Sequence, residues 1–249
     1  MTSGEIVVRT LGRGPRLVLV HGGIGPELSW ERQLPLAERH TLVIPWRRGY
    51  EPSPRAERQD FVADVKDLDR LVEPGDRLVG FSYGGLSASI VAGRRASELR
   101  ALVLIEPPLF SLAPDDPLIA PMIELSSQFT SGATEDDPEA HWRFLSVAGI
   151  KRPRDEQEAR EVERLTRLAR HLRPPLEARP DLAAVREAGL PTLTVSGEHN
   201  TGIERICDLI AERSGGARLR LAGSRHAVQR AAGFNERLES FLADLESHS

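Results

Sequence analysis

Along this chain, short apolar runs alternate with longer stretches in which apolar residues recur every three or four positions. The runs predict strands at residues 6–9, 16–20, 41–45, 77–81, 101–105, 192–196 and 218–222. Three of them, Leu17-Val-Leu-Val, Leu102-Val-Leu-Ile and Leu193-Thr-Val, are almost continuously apolar. That is the pattern of strands covered on both faces by crossover helices. Strand and helix in alternation imply an α/β fold built on a mostly parallel, doubly wound sheet.

The alternation stops between Leu109 and Gly189, where proline-marked helical pieces are predicted at 117–129, 138–147, 155–172 and 181–188. In the third piece Val162, Leu165, Leu168, Ala169 and Leu172 share one face with charges opposite, as on a surface helix. This segment reads as a helical lid inserted over the ends of the strands. It divides the chain into a core part at 1–108, the lid at 109–189 and a second core part at 190–249.

A chain of 249 residues, 40% of them hydrophobic, can bury one substantial core, and a 28% charged fraction of both signs argues against disorder. The net charge of -4 and a pI near 6.0 leave no electrostatic case for a nucleic-acid partner. No apolar run approaches the roughly 18 residues of a membrane span, and the first residues carry no basic region followed by a long apolar stretch. A cytoplasmic protein acting on a small molecule is the expectation. Cys207 is the single cysteine, which rules out an intrachain disulfide and a multi-cysteine metal site, and its place on an apolar helix face suits a small buried hydrophobe. Gly12-Arg13-Gly14 lacks the third glycine of a dinucleotide fingerprint, and no H-E-x-x-H spacing occurs, so neither cofactor nor metal is expected.

Candidate chemistry begins at Gly80-Phe81-Ser82-Tyr83-Gly84, a G-x-S-x-G pattern between a predicted strand and a predicted helix. In that setting the turn is so tight that flanking side chains would clash, and the glycines relieve this. Ser82 then projects its hydroxyl at a helix N-terminus, where backbone N–H groups stabilise negative charge. His21-Gly22-Gly23 follows a buried strand, so the N–H groups of Gly23 and Tyr83 can form an oxyanion hole. His21 itself suits a loop-organising role. A serine needs a base, and His226, in the loop after the last strand, lies where ligands bind in open α/β sheets. His40 and His248 read as solvent-facing, while His141 and His171 fall in the helical insertion.

In order along the chain, His21-Gly-Gly, Arg48-Gly49-Tyr50, the elbow at Ser82, Leu104-Ile-Glu-Pro-Pro, the helical segment, Pro191-Thr-Leu-Thr-Val-Ser-Gly and the His226 loop resemble the α/β-hydrolase fold superfamily. The resemblance implies a serine nucleophile at Ser82, a base at His226 and a lid controlling access. Many relatives place the triad acid in a G-x-x-D pattern after the strand at 192–196, but here the residues are Gly197-Glu198-His199-Asn200. An amide stabilises imidazolium poorly, and in one protease triad the aspartate-to-asparagine change lowers turnover about 10⁴-fold. Glu106, ending the strand after the nucleophile helix, is the preferred acid, with Glu198 and Asn200 as alternative orienting residues. Relatives also commonly carry an aspartate at the position of Trp46, which puts local structure there in question.

Three functions follow. A serine hydrolase of carboxylic esters, lactones or thioesters uses Ser82, His226 and Glu106. A non-hydrolytic enzyme of the same fold uses His226 as a base in an elimination or cyclisation, and a binding protein uses the lidded pocket alone. Phe110, Leu112, Met122, Leu125, Phe129, Trp142, Phe144 and Leu145 suit an apolar acyl group.

Overall fold

The computed structural model describes residues 4–130, 139, 142, 145, 146, 152–166, 168 and 171–247. Strands β1 (Val8–Gly12), β2 (Arg16–Val20), β3 (Thr41–Pro45), β4 (Arg77–Phe81), β5 (Ala101–Ile105), β6 (Thr192–Ser196) and β7 (Ala217–Arg220) form one sheet. Their order is β1-β3-β2-β4-β5-β6-β7; β1 runs antiparallel to β3 and every other pairing is parallel. The helices are α1 (Pro26–Trp30), α2 (Phe61–Leu71), α3 (Tyr83–Arg94), α4 (Ala120–Thr130), α5 (Glu156–Thr166), α6 (Leu182–Glu187), α7 (Thr201–Ser214) and α8 (Phe234–Ser247).

The period of two in each strand sorts the core into two layers. Val18, Val20, Val43, Leu78, Leu102 and Leu104 point to one face, where α2, α3, α6 and α7 cover them. Leu17, Leu19, Leu42, Ile44, Val79, Phe81, Val103 and Ile105 point to the other, under Trp30 and the α8 residues Phe234, Leu238 and Leu242. Helix starts follow the side chains available: Asp60, Asp181 and Asn200 each accept a backbone N–H of the helix they precede. Among the described residues no helix is long and apolar enough to cross a membrane.

Three local expectations change. The first strand is shifted toward residue 12, because the register Val8↔Pro45 to Gly12↔Thr41 pairs it with β3 along its whole length. The last strand starts one residue earlier than predicted and ends at Arg220, where its pairing with β6 stops. His40 is buried rather than solvent-facing, because the turn linking β1 to β2 lies against residues 37–40; a methyl group on Gly12 would come within 2.4 Å of the His40 carbonyl.

Between β5 and β6 the described residues form helices, turns and irregular stretches, with no strand beyond an isolated parallel bridge of Leu172 to Gln59, and their packing varies along the segment. Leu182 and Val185 of α6 join the same apolar layer as α3 and α7. Phe110 and Leu112 belong to this layer too. Leu168, His171 and Arg173 instead meet the loop after β3. A methyl on Gly49 would strike Leu168, Gln59 N donates to the His171 carbonyl at 2.8 Å, and Arg173 N donates to the Gln59 carbonyl at 2.8 Å. His141, Phe144 and His248 lie outside the described residues, as does most of the predicted helix at 138–147.

Candidate active site

Among the described residues four non-glycines have positive φ: Ser82 at 50°, Glu106 at 45°, Glu198 at 55° and Arg225 at 59°. Each costs on the order of 1–3 kcal/mol and persists only where surrounding contacts fix it. All four sit in turns that follow β4, β5, β6 and β7, at one end of the sheet. The strain is therefore concentrated at four adjacent strand ends, two of which, at Ser82 and Glu106, carry side chains that meet on His226.

At the first of these turns Ser82 N donates to the Ile105 carbonyl and the Ser82 carbonyl accepts from Gly85 N. The glycines on either side are required by contact. A methyl on Gly80 would lie 2.6 Å from Ala88 Cβ, and one on Gly84 would lie 2.3 Å from the His21 carbonyl oxygen. The elbow thus presses directly against the His21-Gly22-Gly23 loop.

Ser82, His226 and Glu106 come together although they are far apart in sequence. Ser82 Oγ lies 2.9 Å from His226 Nε2, and His226 Nδ1 lies 2.7 Å from Glu106 Oε2. Phe81 packs against the imidazole with ring centroids 5.1 Å apart. In the arrangement that satisfies both contacts, Nδ1–H donates to the carboxylate and Nε2 accepts the serine proton. The second carboxylate oxygen of Glu106 accepts Gly197 N at 2.7 Å and lies 3.3 Å from His199 Nδ1. Burial pushes the fully buried Glu106 carboxyl up, but His199 and His226 outweigh it and hold the group below the usual carboxylate range.

The two alternative orienting residues are occupied elsewhere. Asn200 Oδ1 accepts Ile203 N at 3.0 Å as the cap of α7, and its amide nitrogen meets Met122 Sδ at 3.3 Å. Glu198 is exposed, and its backbone N–H donates to Glu204. The carboxylate on His226 is Glu106.

His21 is fully buried and organises its loop. Nδ1–H donates to the Gly22 carbonyl at 2.8 Å, and Nε2 accepts Arg47 N at 3.0 Å. This pattern requires a neutral ring, and burial first, then the Arg47 charge, hold its pKa well below the usual histidine value. The sequence pattern did not single out Arg47. Its guanidinium, 3% exposed, pairs with Asp64 at 2.8 Å and donates at 2.8 Å to both the Gly22 carbonyl and Gln59 Oε1. The pair is asymmetric: burial works against the arginine charge but Asp64 overcomes it, whereas burial pushes the Asp64 carboxyl up in spite of Arg47. Tyr50, its phenol pushed up to about 12 mainly by burial, donates to the Gly23 carbonyl at 2.8 Å.

These contacts matter for direction. The Gly22 carbonyl and the Gly23 N–H belong to one planar trans peptide, so two donors on the oxygen fix where the N–H points. Tyr83 N opens α3, where the first N–H groups of a helix lack intrahelical acceptors. Trp46, at the position where an aspartate was expected, turns outward and donates Nε1–H to Glu27 at 2.9 Å. Arg47 beside it carries the inward polar role. Cys207 is buried and burial raises its thiol pKa, consistent with a core residue.

His199, Arg47, Gln59 and Tyr50 were not predicted as site residues. For His199 a signal was present, an imidazole at the end of a buried strand; nothing in sequence spacing pairs Arg47 with Asp64.

Among solved structures, a bromoperoxidase from Bacillus anthracis superposes with a TM-score of 0.71 at 22% identity, over 96% of this chain and 95% of that one. A carboxylesterase from the thaumarchaeon Nitrososphaera gargenis gives 0.70 at 16% identity, over 98% and 96%. Est816, an N-acyl homoserine lactone degrading enzyme, gives 0.64 at 18% identity, over 95% and 96%. At these identities the likeness establishes the fold. No curated protein matches the chain in sequence. The sequence model of the Alpha/beta hydrolase family matches residues 17–237, and the chain belongs to that family.

Proposed function

We propose that this enzyme hydrolyses small carboxylic esters, lactones or thioesters through an acyl-enzyme on Ser82. The observation that carries the reading is the unbroken hydrogen-bonded chain Ser82–His226–Glu106. His226 Nε2 takes the proton of Ser82 as Oγ attacks the substrate carbonyl carbon. The oxyanion is held by the N–H groups of Gly23 and Tyr83, which are typically worth about 3 kcal/mol each. His226 then protonates the leaving alkoxide or thiolate, and Glu106 stabilises the imidazolium throughout. In the second half His226 activates water, which releases the acid and restores Ser82.

Fold alone does not fix the reaction, and the amide at Asn200 favoured a non-hydrolytic alternative; the Glu106–His226 contact supports the hydrolytic reading instead. The helical segment after β5 acts as the lid, and the half-buried Met122 and Leu125 of α4 suit an apolar acyl group. Intact-mass measurement after a fluorophosphonate probe tests the assignment. One adduct is expected on the parent and none on Ser82→Ala. Glu106→Gln, which leaves the shape intact, is expected to react about 10⁴-fold more slowly. A folded parent that takes no adduct, or a Glu106→Gln variant that reacts at the parental rate, would overturn it.

A further inference from the structure

Glu106 faces two imidazoles, and the hydrolytic reading uses only one of them. A carboxylate oxygen of Glu106 and one ring nitrogen each of His199 and His226 lie within 4.8 Å of one another. His226 Nδ1 lies 2.7 Å from Glu106 Oε2 and His199 Nδ1 lies 3.3 Å from Glu106 Oε1, so each imidazole meets its own carboxylate oxygen within the roughly 3.4 Å that separates ligands around a tetrahedral zinc with bonds of about 2.1 Å. Two imidazole nitrogens and one carboxylate form a borderline donor set that suits Zn²⁺ and Cu²⁺ rather than Mg²⁺ or Ca²⁺. Glu106 is fully buried, His226 nearly so and His199 partly buried, and the carboxylate supplies the negative charge a divalent ion needs.

We propose that these three residues form an inhibitory binding site for a divalent transition-metal ion, with Zn²⁺ as the ligand of reference. The coordination follows from the cluster itself; only its inhibitory consequence rests on the reading of His226 as the base. Each neutral imidazole binds the ion through the Nδ1 lone pair, so the ring proton resides on Nε2. For His226 this is a change of tautomer, with no net proton gained or lost. Nε2 then presents an N–H to Ser82 Oγ where it previously presented a lone pair. A metal-bound His226 cannot accept the serine proton, and the hydrogen bond to Glu106 that stabilises imidazolium is gone as well. The ion thus switches the site off without touching Ser82.

The test has one readout independent of turnover. Co²⁺ added to the metal-free parent is expected to give one equivalent of visible d–d absorption, displaced by Zn²⁺, and the same spectrum with Ser82→Ala. In parallel, Zn²⁺ is expected to inhibit ester hydrolysis reversibly, with full recovery on adding EDTA. His199→Gln keeps a polar side chain on Glu106 but removes one ligand. Relative to that variant's own metal-free rate, the half-inhibiting concentration should rise at least about tenfold, the lower end of what disturbing even an outer-shell partner of a metal costs. His199→Asn serves if the glutamine variant is unstable. No Co²⁺ spectrum at one equivalent, or a Zn²⁺ half-inhibiting concentration unchanged by loss of His199, overturns the proposal. A protein that binds Co²⁺ at this site yet hydrolyses no ester refutes the hydrolytic reading and leaves the metal site standing.

Discussion

Replacing Arg47 by methionine removes the charge while keeping most of the side-chain volume, so the loss is electrostatic. Asp64 is 3% exposed and would keep no cationic partner at 2.8 Å. Breaking a buried pair from one side costs about 3–5 kcal/mol, because the remaining charge stays desolvated. For a chain of this length that corresponds to a drop in Tm of about 6–20 °C. The sign of the pH dependence follows from Asp64, whose folded pKa is already raised by burial and rises further without Arg47. Above the unfolded value of about 3.9, the native state keeps a proton that the unfolded chain releases. Stability of Arg47→Met therefore falls as pH rises from about 4, by up to about 1.4 kcal/mol per unit until the folded pKa is passed. Urea unfolding at pH 5 and pH 8 measures this, and Arg47→Met/Asp64→Asn should recover about 2 kcal/mol or more at pH 8. Loosening the Gly22 peptide should also lower kcat more than it raises KM, by up to about 100-fold, less than losing an oxyanion donor outright. A loss below about 1 kcal/mol, or a double variant no more stable than the single one, would refute the argument that this pair is a buried, mutually dependent unit.

Two smaller perturbations probe the same loop. Gly84→Ala places a methyl 2.3 Å from the His21 carbonyl; a loss of about 1–3 kcal/mol and near-complete loss of probe labelling are expected, and a Tm within a degree of the parent would contradict the contact. His21 must stay neutral in the fold, so below about pH 6.5 the unfolded chain binds a proton that the native state refuses, and stability falls as pH drops, by up to about 1.4 kcal/mol per unit. His21→Asn should show a shallower slope between pH 4.5 and 6.5 in urea titrations than the parent, and equal slopes would mean that His21 titrates freely.

The alternation of apolar runs was enough to place six of the seven strands within two residues, and the five inner ones at their bounds, because strands buried on both faces leave a continuous signature. The edge strand β1 is half-polar and leaves a weaker one, so its extent depended on its pairing with β3. The elbow at Ser82 was legible because backbone crowding dictates glycines at fixed offsets. His226 and Glu106 were legible only as strand-end residues, since nothing local in the chain encodes their approach. Arg47 was invisible for a related reason. A buried arginine reads in sequence like any surface arginine among Trp46, Arg48 and their neighbours, and only the position of Asp64 on α2 distinguishes it. His40 went the other way, because burial came from the turn between β1 and β2 lying over it.

The order in which the chain supplies its triad has a consequence for the protein while it is being translated. Ser82 and Glu106 are laid down with β4 and β5, but the base follows Ser82 by 144 positions and Glu106 by 120. At synthesis rates of about 5–20 residues per second, the ribosome emits the serine roughly 7–30 s before the histidine. On the proposed assignment, the nascent elbow carries an unactivated alcohol throughout that interval. Competence, on that assignment, arrives in a single late step, when the segment from β7 to α8 docks on the sheet. On the proposed assignment the same segregation suits the chain to a two-fragment switch: a piece ending near Gly189 and a piece beginning near Leu190 are each expected to be silent, with activity reporting their reassembly.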